Sequence, residues 1–293
     1  MIISNKQDIV VNVNPTYICN KSCQYCYLGT LRKDSTILSL DVLNKQLQTL
    51  NTLFNITHID YYGGEVSLLD NDYLKKSYDI MKKYTSSIST VINGSLYNDI
   101  IDKESPIIAI SFNNKLDNDI SLWNHRPINL LSLYINDEWS PKDFLNKVSL
   151  TKAKSVRIIE LCSSITNDNI NIDKNYNDKF ENFVYNCIKE YMSNDYTFIL
   201  ENLEQIKQQQ MSPPSCFITP KGDLSILLQN NGREYFKIVS NDELLHHINT
   251  IKKYYENSCL TCEYYNRCLF EHFTYKCCGH KQLIQKVENE CLR

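Results

Sequence analysis

The chain has no apolar run approaching the length that spans a bilayer, which argues against a membrane-embedded protein. Its start, Met1-Ile2-Ile3-Ser4-Asn5-Lys6, lacks the charged and apolar regions of a secretion signal, so a cytoplasmic protein is expected. Net charge is small, −3 over 293 residues, and offers no general attraction to nucleic acid or acidic lipid. No internal repeat or low-complexity linker interrupts the chain. Glycine is scarce, with seven in all. What is left is the composition of an ordinary globular protein, 42% hydrophobic and 22% charged. This length allows one large domain, or a domain with a small appendage.

Cysteine is the exception, with twelve residues unevenly spread. Three fall between Cys19 and Cys26, and six between Cys259 and Cys291. A reducing cytosol disfavours a disulfide framework, and clustering of this kind points to metal. Cys162, in an expected apolar strand, and Cys187, in an expected helix, read as core residues. Free cysteine packs as a small hydrophobe.

Apolar strand-like segments alternate with helical ones through the first two-thirds of the chain. Strands are expected at 9–14, 58–62, 88–92, 107–112, 128–135 and 156–161. Amphipathic helices are expected at 39–53, 73–84, 141–152 and 177–192, with another apolar run at 196–200. Asp70-Asn71-Asp72 supplies a helix start and Lys82-Lys83 a helix end. Ser140-Pro141 pairs a capping residue with proline in the first turn. Such alternation implies parallel β/α units. Closed into an incomplete α/β barrel, they place functional loops at the carboxyl ends of the strands.

After about residue 210 the texture changes. Ser212-Pro213-Pro214-Ser215 marks a break, and 216–228 reads as a hairpin turning at Pro220-Lys221-Gly222-Asp223. A helix at 242–255 and the cysteine-rich tail follow. The expected division is a barrel over 1–205 and a small, partly metal-stabilised domain over 206–293.

Cys19-Asn20-Lys21-Ser22-Cys23-Gln24-Tyr25-Cys26 directly follows the first strand. Three thiolates at this spacing can wrap one corner of an iron–sulfur cubane. Three ligands rather than four leave one metal position open, as a catalytic site requires. The competing zinc reading needs a fourth ligand, and His58 and His125 are the soft candidates in the following 130 residues. Two of the few glycines stand together at the end of the second strand, as Gly63-Gly64-Glu65. Glycine there permits close approach of backbone to a ligand. The adjoining carboxylate can accept hydrogen bonds from an ammonium group.

The cysteine spacing, with an aromatic residue before its last member, resembles the signature of the radical S-adenosylmethionine (SAM) superfamily. That resemblance implies a partial (β/α)6 barrel of TIM type. It implies that Cys19, Cys23 and Cys26 hold a [4Fe–4S] cluster whose open iron binds SAM. Gly63-Gly64-Glu65 resembles the family's GGE motif, which binds the amino group of SAM. The family usually has proline next; here the residue is Val66. Val91-Ile92-Asn93-Gly94 is similar to a turn often found after the third strand, which makes Asn93 a SAM contact. Ser111 sits where members often place a polar SAM contact, and Tyr25 is assigned backbone contacts near the adenine. Arg157 and Glu160, two charges in one buried strand, either face the barrel mouth or form a plain salt bridge.

Cys259, Cys262 and Cys268 are separated by two and then five residues. This resembles the core of the SPASM/twitch-like extension, which carries auxiliary [4Fe–4S] clusters. The family's next cysteine is replaced by His272. In the hairpin, Cys216 and Gly222 match half of the pattern, and Leu227 stands where the second cysteine is expected. The resemblance therefore implies one auxiliary cluster, held by Cys259, Cys262, Cys268 and Cys291. Cys277 and Cys278 are alternatives for the fourth ligand, and a structural zinc site with the same ligands stays open.

The function this implies is reductive cleavage of SAM to a 5′-deoxyadenosyl radical that abstracts a substrate hydrogen. The SPASM-like tail favours oxidation or crosslinking of a side chain in a peptide or protein. Electrons would come from a reductase, flavodoxin or ferredoxin. About a dozen residues precede the end of the first strand, which leaves no room there for a leader-peptide-binding domain. The runner-up is radical chemistry on a small molecule such as a sugar alcohol or nucleoside. A third reading, a non-catalytic metal-stabilised binding protein, leaves Gly63-Gly64-Glu65 without a role.

Overall fold

The computed structural model describes residues 6–113, 120–135, 139–168, 172, 175–207, 213–230, 233–254, 262–263 and 280–292. Seven parallel strands are laid side by side in chain order. They are β1 (Asp8–Val13), β2 (Asn55–Tyr61), β3 (Ile88–Ile92), β4 (Ile107–Asn113), β5 (Asn129–Leu133), β6 (Ser155–Ile159) and the short β7 (Ile199–Leu200). Helices α1 (Leu40–Leu53), α2 (Asn71–Met81), α3 (Asp99–Glu104), α4 (Pro141–Leu150) and α5 (Tyr176–Met192) cross between them. A 3-10 turn, Ser121–Trp123, lies between β4 and β5. Crossovers between neighbouring parallel strands are right-handed as a rule, which puts their helices on one face of the sheet and leaves the other free to curl inward.

The two faces differ as this geometry demands. Val11 pairs with Ile59, and Ile59 with Ile88, giving a buried row under the helices. The alternate positions pair Asn12 with Asp60 and Asp60 with Ser89, a polar row on the inner face. There His58 bonds through Nδ1 to Ser87 at 2.7 Å and through Nε2 to Asp60 at 3.1 Å and Ser89 at 3.0 Å.

Capping follows the sequence signals. Asp70 accepts from the N–H groups of Asp72 and Tyr73, and Ser140 from that of Asp143. At the far edge, α6 (Glu201–Lys207) follows β7 at once. Asn202 pairs its side-chain amide with both the N–H and the C=O of Ile158 at 2.8 Å, as a neighbouring strand would. This is where β6 stops at Ile159, short of the expected 161. Cys162 is consequently half-buried in the loop beyond the strand and not in the core, whereas Cys187 is wholly buried in α5.

The C-terminal hairpin, β8 (Ser215–Ile218) and β9 (Leu224–Asn230), extends this same sheet. β8 runs parallel to β1, with Val10–Val13 opposite Ser215–Ile218. Its turn is set by Gly222, at φ +83°, where a Cβ would come within 2.2 Å of Val42 Cγ1 on α1. An antiparallel strand, β10 (Arg233–Ile238), completes the edge, and α7 (Asn241–Tyr254) follows. Last comes α8 (Lys281–Glu290), which buries Leu283, Ile284 and Val287. Among the described residues, no helix is long and apolar enough to cross a membrane.

Candidate active site

The carboxyl ends of β1 and β2 are joined by backbone hydrogen bonds. Gly64 N–H donates to Thr16 C=O at 2.8 Å, and Glu65 N–H to Ile18 C=O at 2.7 Å. A Cβ on Gly63 would lie 2.4 Å from Thr16 O, and one on Gly64 2.0 Å from Ile18 O. Only glycine fits this seam, and the seam leads straight into Cys19.

Glu65 is held by internal hydrogen bonds at the end of β2. Its side chain is wholly buried. One oxygen accepts from the N–H and hydroxyl of Ser67, and the other from Asn93 N–H at 2.7 Å. Burial raises its pKa, while the hydrogen bonds from Ser67 and Asn93 and the charge of Lys21 pull the other way. The carboxylate therefore ties the ends of β2 and β3 together. The half-exposed backbone of Gly63 and Gly64 is what remains to meet a ligand.

Asn93 extends the tie to the cysteine loop. Its side-chain N–H reaches Asn20 Oδ1 at 2.9 Å and Cys19 Sγ at 3.8 Å, and its oxygen accepts from Ser95. Gly94 follows at φ +74°, buried, where a Cβ would lie 2.9 Å from Ile110 Cγ2. Ser111 is exposed on β4, and Tyr25 is half-buried in the turn between Cys23 and Cys26.

Cys19, Cys23 and Cys26 are all free and partly exposed. Burial raises the pKa of Cys19; Lys21 N–H and the Asn93 side chain oppose it, and Glu65 and Cys26 add to it. Burial likewise raises Cys26, opposed by Leu28 N–H, Arg32 and Gly29 N–H and reinforced by Cys23. Arg32 spans the loop, donating to Lys21 C=O and Gly29 C=O. Among the described residues, no three His, Cys, Asp or Glu side chains converge on a single ion.

Several residues that frame the loop carried no sequence signal. Asn167 donates to Gln24 C=O and Cys26 C=O, both at 2.8 Å, and Ser164 and Thr166 donate to Tyr27 C=O. They belong to the loop after β6, and a run of Ser, Thr and Asn reads in sequence as any surface turn. Arg157 donates to Gln205, and Glu160 faces His280 at 3.6 Å. With Phe180 and Asn202 these residues line a small cavity at the open edge of β6.

Of the C-terminal cysteines, Cys262 and Cys291 are partly buried against the hydrophobic core. Cys259, Cys268, Cys277, Cys278 and His272 lie outside the described residues. Cys216 is wholly buried on β8, and burial pushes its thiol up to about 12.

No protein-family model and no curated protein matches the chain by sequence. Solved structures do match. A structure of anSMEcpe with bound AdoMet and the Cp18Cys peptide has a TM-score of 0.67 at 13% identity, covering 96% of this chain and 97% of that one. Streptococcus suis SuiB bound to S-adenosylmethionine gives 0.60 at 14% identity, over 90% of this chain and 72% of that one. SuiB bound to the precursor peptide SuiA gives 0.54 at 13% identity, over 75% and 59%. The chain shares the fold of these structures. In this fold, the cysteine loop and Gly63-Gly64-Glu65 share the carboxyl end of the sheet.

Proposed function

We propose that this chain is a radical SAM enzyme acting on a peptide or protein side chain, which it oxidises or crosslinks. One observation carries the reading: two backbone hydrogen bonds zip the approach to Cys19 against Gly64 and Glu65, beside the mouth of the barrel. Cys19, Cys23 and Cys26 would hold a [4Fe–4S] cluster. When bound, the cluster and SAM together supply the one-electron cleavage that yields a 5′-deoxyadenosyl radical.

The chain's own residues would bind and orient. Backbone carbonyls at Gly63 and Gly64 would receive the ammonium of SAM, with Glu65 holding that turn against Asn93. Asn93, Ser111 and Tyr25 would line the nucleoside side. The polar inner face, at Asp60 and Ser89, would receive a substrate with hydrogen-bonding groups. Peptide chemistry is supported by the folds of anSMEcpe and SuiB, each also described with a peptide. We assign residues 206–293 as the module carrying one auxiliary cluster on Cys259, Cys262, Cys268 and Cys291. A flavodoxin, ferredoxin or other reductase would deliver electrons.

Anaerobic reconstitution tests this reading. Two cubanes give about eight irons per chain, and dithionite with SAM gives 5′-deoxyadenosine and methionine by liquid chromatography. About four irons plus bound zinc would remove the auxiliary cluster. Absence of 5′-deoxyadenosine would remove the enzyme.

A further inference from the structure

The loop that follows β6 makes a strap across the back of the cysteine loop. Ser164 and Asn167 are buried, and every polar side chain from 164 to 167 is aimed at the cysteine loop's carbonyls. Asn167 uses its amide donors on Gln24 C=O and Cys26 C=O. The hydroxyls of Ser164 and Thr166 occupy Tyr27 C=O at 2.8 and 2.6 Å. Thr166 C=O in turn accepts Thr30 N–H at 2.9 Å and fills the space where a Cβ on Gly29 would lie.

A trans peptide points its C=O and N–H in opposite directions. Fixing Tyr27 C=O toward the strap therefore turns Leu28 N–H away from it, to the side of the neighbouring Cys26. The strap is itself held from the C-terminal side. Ile165 N–H donates to Glu234 C=O and Glu234 N–H to Ser163 C=O, both at 2.8 Å. Arg233 on β10 clamps Ser164 C=O and the Asp168 carboxylate.

We infer that Ser164 and Thr166 are positioning residues that set the reduction potential of the cluster on Cys19, Cys23 and Cys26, by holding the Tyr27–Leu28 peptide with its carbonyl on the strap and its N–H turned toward the cysteine side. The inference rests on the cluster assignment made above. Reduction adds one negative charge to the cluster, and hydrogen bonds to its sulfurs stabilise that charge and raise the potential. Without the two hydroxyls, the Tyr27 carbonyl loses both partners and the peptide is free to rotate. Arg233 gives the C-terminal hairpin a grip on the same device.

The test is a redox titration followed by electron paramagnetic resonance, in which the cluster concerned is the one whose signal changes on adding SAM. Ser164→Ala with Thr166→Val should keep the iron content and lower the potential. At a fixed ambient potential the reduced-to-oxidised ratio should fall about tenfold, 59 mV for a one-electron couple. Thr166→Ser, which keeps the hydroxyl, should match the wild type. If the double variant binds less iron, each single substitution is titrated in its place. A lower melting temperature with an unmoved potential would make the strap merely structural and overturn the inference. A wild-type protein with no SAM-responsive signal would instead overturn the cluster assignment itself.

Discussion

Cys216 in β8 and Cys187 in α5 are wholly buried, and burial raises both thiols, Cys216 to about 12. Cys19 and Cys26 are raised by burial as well, but nearby backbone N–H groups act against it, that of Lys21 by donating to Cys19 Sγ at 3.4 Å. The loop thiols also sense one another's charge, Cys19 through Cys26 and Cys26 through Cys23. A loop of this kind suits the thiolate-bound group proposed for it; a helix or strand interior suits only a small hydrophobe. Abundance of cysteine identifies neither. The donors around the sulfur do.

The glycines offer the sharpest way to break that comparison. Gly64→Ala puts a Cβ 2.0 Å from Ile18 O, a backbone atom of the seam. It should abolish SAM cleavage and lower iron loading, measured on the reconstituted protein. Gly222→Ala meets the side chain of Val42 at 2.2 Å and a left-handed backbone. It should cost about 1–2 kcal/mol in denaturant unfolding while cleavage persists. Equal loss of cleavage in both variants would mean that the seam has no special role.

The next effect concerns the edge of β6, far from the cysteine loop in sequence. His280 is buried between Glu160 and Glu181, at 3.6 and 2.8 Å. Burial opposes its charge, yet hydrogen bonds and attraction from the two carboxylates outweigh it and raise the pKa to about 9. A raised histidine stabilises the fold fully below its unfolded value near 6.5 and loses that contribution as pH rises through about 9. Stability should fall by about 3 kcal/mol across this window, and His280→Gln should flatten the profile. An unchanged profile in the variant would place the titration elsewhere. Smallest is Cys216→Ala, expected to destabilise by about 1–2 kcal/mol through lost packing and to leave chemistry intact.

Much of the barrel was readable from local pattern. Apolar strand segments, the caps at Asp70 and Ser140, and the turn at Gly222 act within a few residues and leave a sequence trace. The Cys19–Cys26 loop and Gly63-Gly64-Glu65 were readable because their spacing is itself the signal. What escaped is held together at long range or by very short elements. Nothing local tells that Val10–Val13 will pair with Ser215–Ile218, two hundred positions later. The six residues of α3 and the two of β7 are too few to show a period. Ser164, Thr166 and Asn167 matter through carbonyls more than 130 residues away, which no spacing rule encodes. Glu65 was visible as a residue, but its burial was not, because that depends on Ser67 and the distant Asn93.

The most direct measurement compares Cys23→Ala with Cys216→Ala, both reconstituted anaerobically, for 5′-deoxyadenosine formed from SAM under dithionite. The loop thiol should be indispensable and the buried one dispensable, so product should vanish in the first variant and persist in the second. Persistence in Cys23→Ala would contradict the account.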